Sequence, residues 1–140
     1  KDGRQYGICM AHESHNHPSQ VVPYEGAATG VGGISRDILC MGARVIGALD
    51  ALRFGDLDSL EQKRIFSGVT EGVGGYGNPL GVPNLGGDMR VDDSFSENCL
   101  VNVVAIGMLD FSKVIHSYVP KNAEGYDFIL VGKATDRSGF

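Results

Sequence analysis

The chain predicts an α/β domain of about four or five strands and two main helices, with the helices on one face of the sheet. Three observations predict it. Apolar runs of strand length alternate with stretches whose apolar residues recur at threes and fours. Glycine, at 21 of 140 residues, is about twice its usual share of about 7%, and it gathers in clusters that mean tight turns or close backbone approach. The order strand, helix, strand, helix also allows a doubly wound sheet. However, Gly30, Gly32 and Gly33 make GxGG rather than GxGxxG, and no GxxxxGK[ST] occurs, so neither nucleotide fingerprint supports that alternative.

Taken in order, residues 6–14, YGICMAHES, read as a strand that Pro18 terminates, because proline has no N–H to donate. QVVPYEG reads as a loop. Ala27, Val31, Ile34, Ile38 and Met41 then form one helical stripe, with Gly42 as the C-terminal cap. Gly30, Gly33 and Asp37 share a second stripe, small and bare, ending in a carboxylate. Such a face costs helix propensity and lets something approach the backbone. ARVIGALDALRF, from 43, is a strand. Residues 58–73 read as a helix with Asp58 and Glu61 as a capping box. VGGYGNPLGVPNLGGDMRVDD holds too many breakers for a long element. CLVNVVAIGML is a strand apolar on both faces, and so expected to be covered on both. Residues 113–119 read as a short helix, YDFILVG as a last strand and ATDRSGF as a linker. The domain is accordingly set at residues 1–132, and 133–140 begin a linker.

Composition excludes several classes. Seventeen acidic residues against twelve basic ones give a net charge of −5, and no basic run exists to displace the counterions of a nucleic acid. No stretch approaches the roughly 20 apolar residues of a membrane span. Cys9, Cys40 and Cys99 are odd in number and widely spaced, and they read as buried free thiols of a reducing cytosol.

HESHNHP, residues 12–18, concentrates the chemistry. HExxH would need histidine where Asn16 stands. His12, His15 and His17 have the ligand type for zinc, but strand alternation turns His12 away from the other two. The carboxylates give a better account. Glu13 would share a side with His15 and His17 if the strand continued, and with Asp37 it could hold magnesium whose shell is completed by phosphate oxygens. Taken alone, Glu13 is an ordinary surface charge, and Arg36–Asp37 an ordinary surface pair. His15 and His17 titrate near neutrality and suit proton transfer. Ser14 and Asn16 offer neutral hydrogen bonds, or could simply close the turn. Arg36, and less favourably Arg53, could fork onto a phosphate. Asp88, after Gly86 and Gly87, could add a carboxylate or backbone N–H groups, or close a tight turn with a solvated acid.

Over these residues, and again at YGNPLGVPNLGGD and ILVGKATDRSG, the chain resembles the ATP-binding synthetase subunit of phosphoribosylformylglycinamidine synthase, in its small-subunit form. The resemblance runs almost the whole chain. It implies a ligase of purine biosynthesis, cytoplasmic, using ATP and magnesium. Formylglycinamide ribonucleotide is activated as an iminophosphate, and ammonia from a glutamine amidotransferase subunit then displaces phosphate. A small accessory subunit completes the complex. It further implies Glu13 and Asp37 as magnesium ligands, Ser14, His15, Asn16, His17 and Arg36 as substrate contacts, and His15 as the proton acceptor. The implied fold is the amino-terminal domain of the aminoimidazole-ribonucleotide-synthetase kind. That is a mixed, largely antiparallel sheet, helices on one side, pairing through its other face as a homodimer or pseudodimer. This chain departs from the family twice: Ala11 replaces a lysine and Asp88 replaces a glutamate. The first removes an ammonium, and the second keeps the charge but moves it. A segment this short is expected to be inactive by itself.

Overall fold

Alternating side chains, one face apolar and buried and the other open, set the layers of this protein. The computed structural model describes residues 3–132 and 134. Four strands, β1 (Tyr6–Ser14), β2 (Arg44–Phe54), β3 (Asn84–Val91) and β4 (Leu100–Asp110), form one sheet in the order β1-β4-β2-β3. β4 runs antiparallel to both β1 and β2, and β3 runs parallel to β2. Three helices accompany them: α1 (Asn16–Val21), α2 (Pro23–Cys40) and α3 (Leu60–Leu80). The mixed, four-stranded sheet and the one-sided helical layer are as the sequence predicts.

The core lies between the sheet and α2 and α3. From β4 it takes Val101, Val103 and Ala105, from β2 Leu52 and Phe54, and from the helices Ala27, Val31, Ile34, Ile38, Ile65 and Val69. Phe54 meets Phe66 edge-on at 5.3 Å, an arrangement the ring quadrupoles favour. Met108, Ile8 and Met10 point the other way and stay exposed. Among the described residues the doubly apolar β4 is therefore covered on one face, not two.

Several boundaries differ from expectation. QVVPYEG is helical on either side of Val22, with Pro23 opening α2 at a position where a missing N–H costs nothing. α3 does not stop at 73. It continues through the glycines to Leu80, with Pro79 in its last turn and Gly81 as a left-handed cap. The glycines there serve packing: a Cβ on Gly72 would run into the Tyr24 carbonyl of α2. Close helix–helix approach thus outweighs propensity. The cap of α3 is Ser59, whose Oγ accepts from the Gln62 N–H at 3.1 Å, while Asp56 takes the Asp58 N–H into a preceding turn. NLGGDMRV forms the edge strand β3 rather than a loop. Among the described residues beyond β4, only Phe111–Lys113 make a single 3₁₀ turn, in place of the helix expected over 113–119. YDFILVG forms no strand, because no sheet edge takes it up, and Leu130 is 98% exposed. Most of ATDRSGF lies outside the described residues. Among the described residues, no helix is long and apolar enough to cross a membrane.

Candidate functional site

Because β1 and β2 both run against β4, their carboxyl ends, with that of β3, lie on one edge of the sheet. HESHNHP closes β1 at that edge. Its pairing continues one residue past the strand, where the His15 N–H donates to the Val101 carbonyl at 2.8 Å. The chain then turns into α1. Strand alternation consequently ends at Ser14, and His17 sits exposed in the first turn of a helix instead of sharing a side with Glu13 and His15.

Asn16 ties that turn down. Its side-chain carbonyl accepts from the Val101 N–H at 2.8 Å, and its backbone carbonyl faces the Cys99 thiol at 3.6 Å. One helical turn on, Gln20 accepts from the Cys99 N–H at 2.8 Å. Gln20 was not singled out by sequence reasoning, because a lone glutamine has no motif. Burial pushes the Cys99 thiol up to about 11, so it stays protonated and inert. Cys9 is half-buried, and Cys40, expected to be buried, is exposed on the outer side of α2.

Glu13 and His15 reach the helical layer where α2 is bare. The His15 ring lies 3.3 Å from where a Cβ on Gly30 would stand, and Glu13 Oε2 lies 3.5 Å from the corresponding point on Gly33. Glu13 Oε1 is 3.4 Å from His15 Nε2. His15 Nδ1 is buried without a hydrogen-bond partner. The bare stripe of α2 is thus the wall of a cradle holding a carboxylate–imidazole pair. Asp37 follows Gly33 by four residues and so continues the same stripe one turn further. Both Arg36 and Asp37 are exposed. Among the described residues, no three His, Cys, Asp or Glu side chains converge as a self-sufficient metal cage. The carboxylates of Glu13 and Asp37 are nevertheless hard anionic donors, fit for a magnesium that takes its remaining ligands from water and phosphate. His12, one residue before Glu13, points to the opposite face.

Asp88 does not join this group. It lies on the open face of the sheet, its carboxylate gripped by Arg53 through two hydrogen bonds of 3.0 and 3.1 Å, with Arg90 Nε at 3.7 Å. Hydrogen bonding from Arg53 holds the Asp88 carboxyl below its ordinary value. The Arg53 fork is therefore occupied. Behind the Gly86–Gly87 pair, Asn84 donates to Asp50 at 2.5 Å and accepts from the Gly86 N–H at 3.0 Å. Burial raises the Asp50 carboxyl, against that hydrogen bond. Asn102, opposite Ser14 across the sheet, was also passed over. The signal was present: it is the one polar residue inside the apolar run LVNVVAIGML.

Residues 3–109 match the family described as AIR synthase related protein, N-terminal domain. The chain belongs to that family. It is 51% identical over 140 residues to phosphoribosylformylglycinamidine synthase subunit PurL of Methanothrix thermoacetophila, covering 96% of this chain and 18% of that protein. The solved structure of T. maritima PurL complexed with ATP superposes with a TM-score of 0.74 at 42% identity, covering 81% of this chain and 18% of that one. T. maritima PurL complexed with FGAR gives 0.72 at 43%, covering 80% and 17%. This family member therefore spans about 18% of the length of its curated relatives. The resemblance read from HESHNHP and its flanking segments stands.

Proposed function

We propose that this chain is the amino-terminal synthetase domain of a phosphoribosylformylglycinamidine synthase, acting within a longer polypeptide. The observation that carries the proposal is the cradle itself: a Glu13–His15 pair packed on the glycine-faced stripe of α2 at the carboxyl edge of the sheet. Relatives solved with ATP and with FGAR support the same reading.

In the reaction, the amide oxygen of formylglycinamide ribonucleotide attacks the γ-phosphorus of ATP and ADP leaves. The amide nitrogen gives up its proton, and ammonia then adds to the imino carbon and expels phosphate. His15 receives the amide proton. Glu13, 3.4 Å from Nε2, stabilises the imidazolium so formed. Ser14, Asn16 and His17 line the substrate at the end of β1, and Arg36 contacts it from α2. Glu13 and Asp37 would hold magnesium. Magnesium, bound with ATP, screens the charge of the phosphates. With Ala11 in place of the family's lysine, phosphate binding relies more heavily on the remaining donors.

Two further elements belong to the proposal. A glutamine amidotransferase subunit supplies ammonia, with a small accessory subunit in a cytoplasmic complex. The exposed apolar side of the sheet, with Ile8 and Met10 each 67% exposed, pairs with a like sheet as a dimer or pseudodimer, which removes that surface from water.

The test uses the full-length protein containing this segment. His15→Ala should lower the rate of amidine formation at least ~100-fold with an unchanged melting temperature, and normal turnover would remove His15 from the mechanism. Asp37→Asn should raise the magnesium concentration needed for half-maximal rate. An unchanged magnesium dependence counts against the ligand role.

A further inference from the structure

The open face of the sheet changes character along its strands. In one row Met10 of β1 stands beside Ile106 of β4, and in the next His12 stands beside Val104 and Leu49. The row nearest the HESHNHP edge reads Ser14, Asn102, Ala51, Asp88 across all four strands. Beyond Ala51 and Asp88 come Arg53 and Arg90. Ala51 is the smallest side chain in that row, so it leaves a floor between Asn102 and Asp88.

Asn102 is half-buried, and among the described residues its carboxamide finds no protein partner. Leaving such a group covered and unpaired costs about 1–3 kcal/mol, so covering this face requires a polar partner there. Charge points the same way. Asp88 neutralises Arg53 through two short hydrogen bonds, while Arg90, its side chain 75% exposed, touches Asp88 only at 3.7 Å. The group carries one net positive charge, with Arg53 fixed on Asp88 and the exposed Arg90 supplying the surplus.

We propose that this row is a substrate subsite, in which Ser14 and Asn102 hydrogen-bond the amide part of a sugar-phosphate substrate over the Ala51 floor while Arg90 faces its anionic part. The proposal rests on the synthetase reading above and adds Asn102, Ala51 and Arg90 to it. The apolar rows further along the sheet remain available for pairing, and the polar row lies at the rim beside the HESHNHP edge. Arg53 is a positioning residue, since its fork is spent on Asp88.

Calorimetric binding of formylglycinamide ribonucleotide, and separately of ATP with magnesium, to the full-length protein tests this. Asn102→Ala and Ala51→Leu should each weaken the ribonucleotide tenfold or more and leave ATP within twofold. Arg90→Ala should weaken the ribonucleotide less, with a loss that shrinks at high salt. Ribonucleotide affinity within twofold of wild type in a normally melting Asn102→Ala protein overturns the proposal. So does equal loss of both ligands in a folded Ala51→Leu protein, which would report distortion. Should Ala51→Leu fail to fold, Asn102→Ala decides alone. A wild-type protein that ignores the ribonucleotide refutes the synthetase reading itself, whereas tight wild-type binding with unaffected variants refutes only the subsite.

Discussion

Phe54 and Ile8 stand on the same sheet and meet opposite fates: Phe54 has no exposed surface, and Ile8 keeps 67% of its own. The difference is the layer above them. α2 and α3 cover that face over β4 and β2 and leave the edge strand β3 exposed, and nothing within the described residues covers the other face. Apolar side chains on a strand state only that a face is to be buried, not by what. The helical face is satisfied by the chain's own elements, α2 and α3 packing on β2 and β4. The open face keeps its apolar residues exposed among the described residues, and its rows grade from apolar to polar as they approach the HESHNHP edge.

Four substitutions sharpen or break this contrast. Phe54→Ala should cost about 3–5 kcal/mol, read as a lowered urea midpoint with an unchanged slope. A loss below 1 kcal/mol would mean that the helical face is not the core. Gly72→Ala, between the helices, should cost about 1–3 kcal/mol, because the added methyl meets the Tyr24 backbone rather than a movable side chain.

Asp50→Asn should give a smaller, pH-dependent effect. The folded-state value of Asp50 lies above the ordinary 3.8, so the folded protein binds the extra proton. Its favourable share is therefore present below pH 3.8 and lost as pH rises through the folded value. The variant has no such loss. Its stability relative to wild type should grow as pH rises from the ordinary 3.8 through the higher folded value in paired urea titrations, and a constant difference would contradict the burial of that carboxyl.

Smallest in stability is Ile8→Ser on the open face, expected within about 0.5 kcal/mol for the unpaired domain. The same change should weaken self-association or packing within the parent protein, read by sedimentation. If it unfolds the domain as Phe54→Ala does, the two faces are not different in kind.

The difference between the faces also explains what could be read in advance. β1, α2, β2 and β4 were legible because period and composition agree there, and β1 was bounded at Tyr6 and Ser14 as observed. The last two turns of α3 and all of β3 were not, because their glycines and Pro79 look like breakers until α2 and β2 are placed against them. YDFILVG was read as a strand from propensity alone, and a strand without a neighbouring edge has nothing to pair with. In the site, Glu13, His15 and the bare stripe ending at Asp37 were visible from spacing. The exposure of His17, the pairing of Asp88 with Arg53 and the place of Asn102 were not, since each depends on where a strand stops or which strand lies beside it.

By itself the sequence determined the family, the one-sided α/β layering and the carboxylate–histidine pair at the end of β1. These are written in residue type and local period, and both survive without knowledge of distant contacts. Only the tertiary structure decided that Asp88 faces away from Glu13, that Arg53 is already occupied and that Ser14 shares a row with Asn102. Register between strands far apart in the chain is set by packing and hydrogen bonding between them, and no local pattern encodes it.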